Sequence, residues 1–167
     1  ACRANHYTEL GRAPPPDRPA RPAKPSLLPP RGVPSRRITA GSAVRVALLH
    51  AIAHIALNAI DLAIDMASRF TGQNQPKAFY NDWLGVADDE SCHFLILSDR
   101  LAQLSAACDD LPARDELWQA AHATKHDLLA QLAIALLVLE ARGLDVTPAM
   151  IEKLTNVGDP DNAAALN

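Results

Sequence analysis

The strongest constraint on the fold of this 167-residue chain is a change of pattern near residue 40. Nine of the 13 prolines lie between Pro14 and Pro34, and proline both fixes φ and removes a backbone N–H donor. Residues 1–40 are therefore predicted to form an extended arm, in part polyproline II, and not helix or sheet interior. From residue 41 onward the apolar residues recur with a helical period, and no strand pattern appears.

The arm is also basic. Residues 1–45 contain nine Lys and Arg residues against Glu9 and Asp17. Two interpretations stay open: a disordered linker, or an arm that lies over the helical body and contacts an acidic surface. The whole chain has a net charge of -3 and a pI near 6.0, so its overall charge does not indicate nucleic-acid binding.

Residues 41–167 are predicted to form an all-α bundle of three long helices and one short helix. The predicted bounds are 42–70, 76–107 and 113–142 for the long helices, and about 147–157 for the short one. The third helix is expected to stop at Gly143. Thr147 is expected to cap the short helix, with Pro148 at its first position. Asp161 is read as the N-cap of a further helix.

Apolar runs and cysteine spacing also indicate the cellular compartment of the protein. No apolar run reaches the ~18 residues of a membrane span, so no membrane is expected. Cys2, Cys92 and Cys108 have unrelated spacings and form neither a disulfide framework nor a zinc knuckle, which indicates a reducing, cytoplasmic compartment. The chain begins with Ala1 and has no signal-peptide pattern, as expected of a processed protein or a fragment.

The stretch GVADDESCHFLIL contains Glu90 and His93, a Glu-x-x-His sequence on the second predicted helix. On a helical wheel both residues lie in the apolar stripe of that helix, whose large members fall within about 60° of Glu90. These members are Phe79, Trp83, Val86, Phe94, Leu97, Leu101 and Leu104. The sequence therefore predicts that Glu90 and His93 face the core.

A core-facing carboxylate needs a partner, because burying an unpaired charge costs several kcal/mol. A metal ion is the favoured partner, since the i, i+3 spacing places Glu90 and His93 on one face, where they can hold one ion. The alternatives are a Glu–His hydrogen bond, or an ion pair between Glu90 and an arginine from another helix.

Glu140 is a second carboxylate on an apolar stripe, in the third predicted helix. His122 and the apolar residues Leu129, Ala133, Leu136 and Leu137 lie within about 60° of it on the wheel. Its place in the last turn before Gly143, close to Arg142, leaves a solvent-exposed position open as the alternative.

The first predicted helix carries a polar stripe opposite its apolar face. The stripe consists of His50, His54, Asn58, Asp61 and Asp65. His50 and His54 have the i, i+4 spacing of a shared metal site. The favoured interpretation is that the stripe meets solvent or the proline-rich arm.

Four stretches of the sequence resemble an uncharacterised bacterial family of ferritin-like proteins, known as domain of unknown function 455. They span most of residues 18–160 and read RPARPAKPSLLPPRGVPSRR, LLHAIAHIALNAIDLAIDMASRF, AFYNDWLGVADDESCHFLILSDRL and LEARGLDVTPAMIEKL. The resemblance implies a ferritin-like bundle with a di-iron carboxylate site, in which Glu90 and His93 match the first Glu-x-x-His and Glu140 matches the third-helix glutamate.

The chain departs from the family pattern at two places. Ala56 stands where the family has the first-helix glutamate ligand, near the centre of the predicted core face. The fourth helix, with the second Glu-x-x-His, is expected to begin about where the chain ends, so the helical domain is expected to be incomplete. Three of six expected ligands remain, enough to hold one ion weakly.

The resemblance implies a metal-binding protein with an oxidase-like or oxygenase-like scaffold and an incomplete site. The implied metal is iron, with manganese or zinc as alternatives, and the implied mechanism is activation of dioxygen by carboxylate-bridged iron. Whether this chain is an enzyme stays open. The other hypotheses are a non-catalytic interaction module and an inactive fragment. A homodimer is expected to cover the groove that a missing fourth helix leaves.

Overall fold

The computed structural model describes residues 10–29, 32, 41–134 and 141–166, with the backbone alone for residues 141–144. The described chain is mostly helical, which confirms the all-α prediction. Its helices are α1 (Ser42–Arg69), α2 (Lys77–Gln103), α3 (Glu116–Thr124), α4 (Leu128–Ile134), α5 (Ala141–Asn156) and α6 (Pro160–Ala164). A 3-10 turn spans Thr71–Gln73, and two short strands, β1 (Leu27–Leu28) and β2 (Ala113–Arg114), pair with each other.

The first two predicted helices are confirmed as α1 and α2, which form an antiparallel hairpin. Between them, Asn74 adopts a left-handed conformation with φ of 51°, which asparagine tolerates better than most residues. Near the turn, the Tyr80 hydroxyl donates to the carbonyl of Phe70 at 3.3 Å. The hairpin therefore places the polar stripe of the first helix and the Glu90–His93 pair of the second helix on neighbouring helices.

A cluster of leucines and alanines holds the two helices together. The main core cluster contains Leu49, Ala53 and Ala56 from α1 and Leu97 and Leu101 from α2. Alanine side chains at such an interface allow close approach of the two backbones. Of the side chains of α1 that face away from α2, Ile55 and Ile64 stay about half exposed.

The predicted third long helix, 113–142, is wrong, because the described chain divides it. Residues 125–127 separate α3 from α4. The Asp127 carboxylate accepts hydrogen bonds from the backbone N–H groups of Leu129 at 2.9 Å and Ala130 at 3.1 Å. Asp127 therefore caps a new helix, a role that aspartate fills well. Residues 135–140 lie outside the described part of the chain.

The predicted helix boundary at Gly143 and Thr147 is also wrong. Helix α5 runs through both positions and contains Pro148 in its interior, where proline removes one hydrogen bond of the helix. The last short helix, α6, is capped by Asp159 and not by Asp161, since Asp159 accepts from the backbone N–H of Asn162 at 3.3 Å.

The expectation of no strands is wrong at one place. Leu27 and Leu28 pair in parallel with Ala113 and Arg114, and the backbone N–H of Ala113 donates to the carbonyl of Ser26 at 3.0 Å. Two residues are too few for a period-2 pattern to stand out in a sequence. The pairing attaches the proline-rich segment, residues 10–29, to the loop before α3.

Helix α1 is apolar enough to be weighed as a membrane span. In the described chain, one segment, Ser42–Gln73, passes by length and composition, with a mean hydropathy of 1.7. Half of the 18-residue apolar stretch within this segment is buried inside the fold. A core helix of a globular protein has the same properties, and α1 has that position here.

Candidate functional site

Glu90 and His93 lie one turn apart on α2, with His93 Nδ1 3.7 Å from Glu90 Oε2. The two side chains differ in exposure, at 24% for Glu90 and 64% for His93. The prediction that His93 faces the core is therefore wrong in the described structure, whereas Glu90 is half-buried. A role for either residue as a metal ligand stays a prediction.

The helical wheel explains this error. The residues of α2 that are buried are Tyr80, Ala87, Leu97 and Leu101. On the wheel, the centre of these buried residues lies about 35° to one side of Glu90, whereas His93 lies about 60° to the other side. His93 is therefore about 100° from the centre of the buried stripe. The sequence-based stripe was drawn too wide, because it counted large apolar residues on both edges as core.

Glu140 lies outside the described residues, so its predicted role as a ligand stays a prediction. Among the residues that the structure describes, no group of three or more His, Cys, Asp or Glu side chains is placed to hold a metal ion. Ala56 is buried between α1 and α2, as its position on the wheel indicates. Its methyl group offers no ligand atom to a metal.

The donors that are described suit a metal in chemistry but are too few in number. A carboxylate and an imidazole are the ligands that first-row divalent metals take in proteins. Glu90 and His93 supply two, and a structural zinc shell alone takes four. The described part of the chain thus fits a pair of ligands and not a complete coordination shell.

The polar stripe on α1 is buried. His50, His54, Asn58 and Asp65 each expose 6% or less of their surface. The expectation that this stripe meets solvent is therefore wrong for these four residues, while its alternative, contact with the proline-rich arm, holds for part of the stripe.

Arg21 of the proline-rich segment makes that contact. Its Nη2 donates to Asn58 Oδ1 at 2.8 Å, and its Nε donates to Asp61 Oδ2 at 2.7 Å. Arg18 adds an ion pair to Asp115 at 2.8 Å, just before α3. Charge-assisted hydrogen bonds of this kind are stronger than neutral ones, so they fix the segment on the helical hairpin.

Asp65 connects three parts of the fold. Its carboxylate accepts from Arg69 Nε at 2.8 Å and Nη2 at 2.6 Å, and from Gln131 Nε2 of α4 at 2.9 Å. The bond to Asp65 raises the pKa of the Arg69 guanidinium. Arg69 also donates to the carbonyl of Pro16 at 3.2 Å. The single carboxylate therefore ties α4 and the proline-rich segment to α1.

His54 is held as a neutral imidazole. Its Nε2 lies 2.9 Å from the carbonyl oxygen of Cys108, and because a carbonyl only accepts, Nε2 carries the proton and donates. Burial lowers the pKa of His54, and the charge of Arg21 lowers it further, against the effect of the Cys108 bond. Next to it, the Cys108 thiol lies 3.2 Å from the Ser98 hydroxyl.

A cavity of about 290 Å³ adjoins His54, between the proline-rich segment and the hairpin. It is lined by Arg21, Pro22, Lys24, Pro25, Leu27, His54, Leu57, Phe94, Cys108 and Asp109. Sequence reasoning missed this cavity. Two sequence features could have indicated it. One is the polar stripe at i, i+4 spacing on the otherwise apolar α1, and the other is the presence of both arginines and prolines in the arm.

The fold and the motifs on its hairpin define an all-α protein built on two long antiparallel helices. Its sequence matches, over residues 1–167, the family described as "Protein of unknown function (DUF455)". The chain belongs to this family.

The chain is also similar to an uncharacterized protein of Haemophilus influenzae, with 43% identity over 143 residues. The alignment covers 83% of this chain and 49% of the relative, so the chain spans about half the length of the relative it matches. No solved structure matches the chain.

Proposed function

We propose that the chain is a ferritin-like metal-binding protein of the di-iron carboxylate type, with α1 and α2 as the first two helices of its bundle. The observation that carries the proposal is the Glu90–His93 pair on α2, with a half-buried carboxylate 3.7 Å from an imidazole nitrogen. The type of site is inherited from the family resemblance and is an analogy at the level of the fold.

The separation of the two donor atoms supports a shared ion. Two ligands at about 2.1 Å from a tetrahedral metal lie roughly 3.4 Å apart. The 3.7 Å between His93 Nδ1 and Glu90 Oε2 needs only a small side-chain rotation to reach that value. In this proposal Glu90 and His93 hold one ion, with Glu140 as the third ligand. Iron bound there would supply redox chemistry toward dioxygen.

Ala56 limits the site. It occupies the α1–α2 interface in the cluster formed with Leu97 and Leu101, against which Phe94 packs, and Phe94 is the residue after His93. In this proposal a carboxylate at position 56 would add a ligand, which the methyl group of Ala56 cannot do. We accordingly propose one weakly held ion and not a complete two-iron centre.

Iron binding by the full chain tests the proposal. In anaerobic equilibrium dialysis against excess ferrous iron, we expect about one iron per chain in the wild type and a loss of most of it in His93→Ala. His126→Ala is the matched control, because His126 is exposed and lies outside the pair. Fewer than about 0.2 iron per chain, or equal loss in both variants, would contradict the proposal.

The second candidate function is a non-catalytic module that associates through α2. The side chains of Leu95 and Ile96 are 60% and 51% exposed, close to His93 along the helix. Apolar residues exposed together are typical of interaction surfaces. Size-exclusion chromatography at micromolar concentration separates this function from the first, since a monomer would weigh heavily against it.

A further inference from the structure

The cavity beside His54 lies between the proline-rich segment and the hairpin of α1 and α2. The proline-rich segment contributes the rings of Pro22 and Pro25 and the side chain of Leu27. The helices contribute Leu57 from α1 and Phe94 from α2. Neither Glu90 nor His93 lines it. Most of its surface is therefore apolar, and what it binds is a separate matter from the metal.

The charges around the cavity balance one another. Arg21 is neutralised by its ion pair with Asp61, and His54 is buried and neutral. The two remaining charged groups, Lys24 and Asp109, are exposed and of opposite sign. Because Lys24 and Asp109 are exposed to solvent, where ion pairs contribute little, they would offset only a small part of the cost of moving a charged ligand into the apolar lining.

The outer wall of the cavity is held in place by contacts within the chain. The β1–β2 pairing anchors Leu27, and the bonds of Arg21 to Asn58 and Asp61 anchor the segment just before Pro22. Prolines leave the segment little conformational entropy to lose. Binding sites for small molecules are commonly preformed and apolar, with a few polar groups that orient the ligand.

We propose that this cavity binds a small, uncharged, largely apolar molecule of about ten non-hydrogen atoms. The size follows from the volume of about 290 Å³, since one water molecule takes up about 30 Å³. His54 and Cys108 are polar residues of the lining, which suits a ligand with one hydroxyl group. The proline-rich segment is then part of a binding site and not a linker.

Three molecules of one shape test the charge preference: benzyl alcohol, benzoate and benzylamine. Each is titrated into the full chain while ¹H–¹⁵N NMR follows the amides of Leu57, Phe94 and Asp109. We expect saturable shifts with benzyl alcohol, and binding at least about 10-fold weaker for both ions. Equal or tighter binding of either ion, or no saturable shift up to about 10 mM benzyl alcohol, overturns the proposal.

Cavity-filling variants test the location. Leu57→Trp fills the cavity from α1, and Leu27→Trp fills it from the segment without entering the helix core. We expect benzyl alcohol to bind at least about 10-fold more weakly to each. The matched control is Ile64→Trp, on an exposed position of α1 outside the lining. Unchanged binding in a folded Leu27→Trp variant, or the same loss in Ile64→Trp, overturns the assignment of the site.

Discussion

The polar stripe of α1 and the Glu90–His93 pair of α2 face opposite environments. On α1, four polar side chains are buried. Arg21 of the proline-rich segment bonds to Asn58, and Gln131 of α4 and Arg69 of α1 itself bond to Asp65. On α2, His93 remains 64% exposed. The α1 stripe therefore contributes to stability through its partners, while the α2 pair is accessible to a ligand. The α1 stripe and the α2 pair differ because other segments cover the first and leave His93 of the second exposed, and not because their residue spacing differs.

The largest expected effect comes from Ala56→Glu, which places a carboxylate between the two helices. In the metal-free protein the buried charge should lower the free energy of unfolding by about 3–4 kcal/mol, as measured by urea denaturation. If position 56 adjoins the Glu90–His93 pair, iron should bind more tightly to the variant and restore part of that stability.

The control for this variant is Ile55→Glu, one residue away, whose side chain is 50% exposed. It should change the free energy of unfolding by less than about 0.5 kcal/mol. If iron binds no more tightly to Ala56→Glu than to the wild type, position 56 does not face the proposed metal site.

Asp65→Ala should have the next largest effect, because it removes the anchor of the α1 stripe. Arg69 and Gln131 lose their carboxylate partner while they stay largely buried, so we expect a loss of about 3 kcal/mol in the free energy of unfolding. Asp89→Ala, at an exposed position of α2, should cost less than about 0.5 kcal/mol. If urea denaturation gave the same loss of unfolding free energy for both substitutions, the buried stripe of α1 would contribute no more to stability than the exposed face of α2.

Arg21→Ala should have a smaller effect, confined to the proline-rich segment. The substitution breaks the bonds to Asn58 and Asp61, and we expect a loss of about 1–2 kcal/mol. Hydrogen exchange of the Ala113 amide, which bonds to Ser26, should become faster as the segment loosens. Arg12→Ala, on an exposed part of the same segment, should leave that exchange unchanged.

The smallest effect is the pH dependence that His54 adds. Because burial lowers the pKa of His54 below its ordinary value of 6.5, the unfolded chain binds a proton more readily than the folded one. Stability from this group is therefore present above about pH 6.5 and decreases as the pH falls toward the folded-state pKa. Urea denaturation at pH 7.5 and 5.5 measures it.

His54→Gln should flatten this pH dependence, because it removes the buried imidazole whose pKa is lowered. An unchanged pH dependence in this variant would mean that another group causes it.

Local sequence patterns predicted the hairpin well and the second half of the chain poorly. Long apolar periods defined α1 and α2 to within a few residues. The break between α3 and α4 depends on one cap, Asp127, and a continuous apolar period concealed it. Thr147 and Pro148 predict a helix start, yet α5 passes through both. Single residues at boundaries are weak signals because one or two contacts override them.

The candidate site shows the same division. The helical angle of Ala56 predicts a core position, and Ala56 is buried. The helical angle of His93 predicts the same, but His93 is exposed. A helical wheel gives the angles between side chains, but it does not show how wide a surface the neighbouring helix covers. Around the axis of α2, the buried residues centre on one side of Glu90, and His93 lies on the other side.

The sequence by itself determined that this chain is helical, where its two long helices run, and which residues share a face, because backbone periodicity is a local property. Only the tertiary structure decided which faces are covered. The proline-rich segment reaches α1 across about 40 residues of sequence, through Arg21 and Asp61. Contacts of that range leave no period in the sequence, so the buried imidazole of His54 and the cavity beside it became visible only in the folded chain.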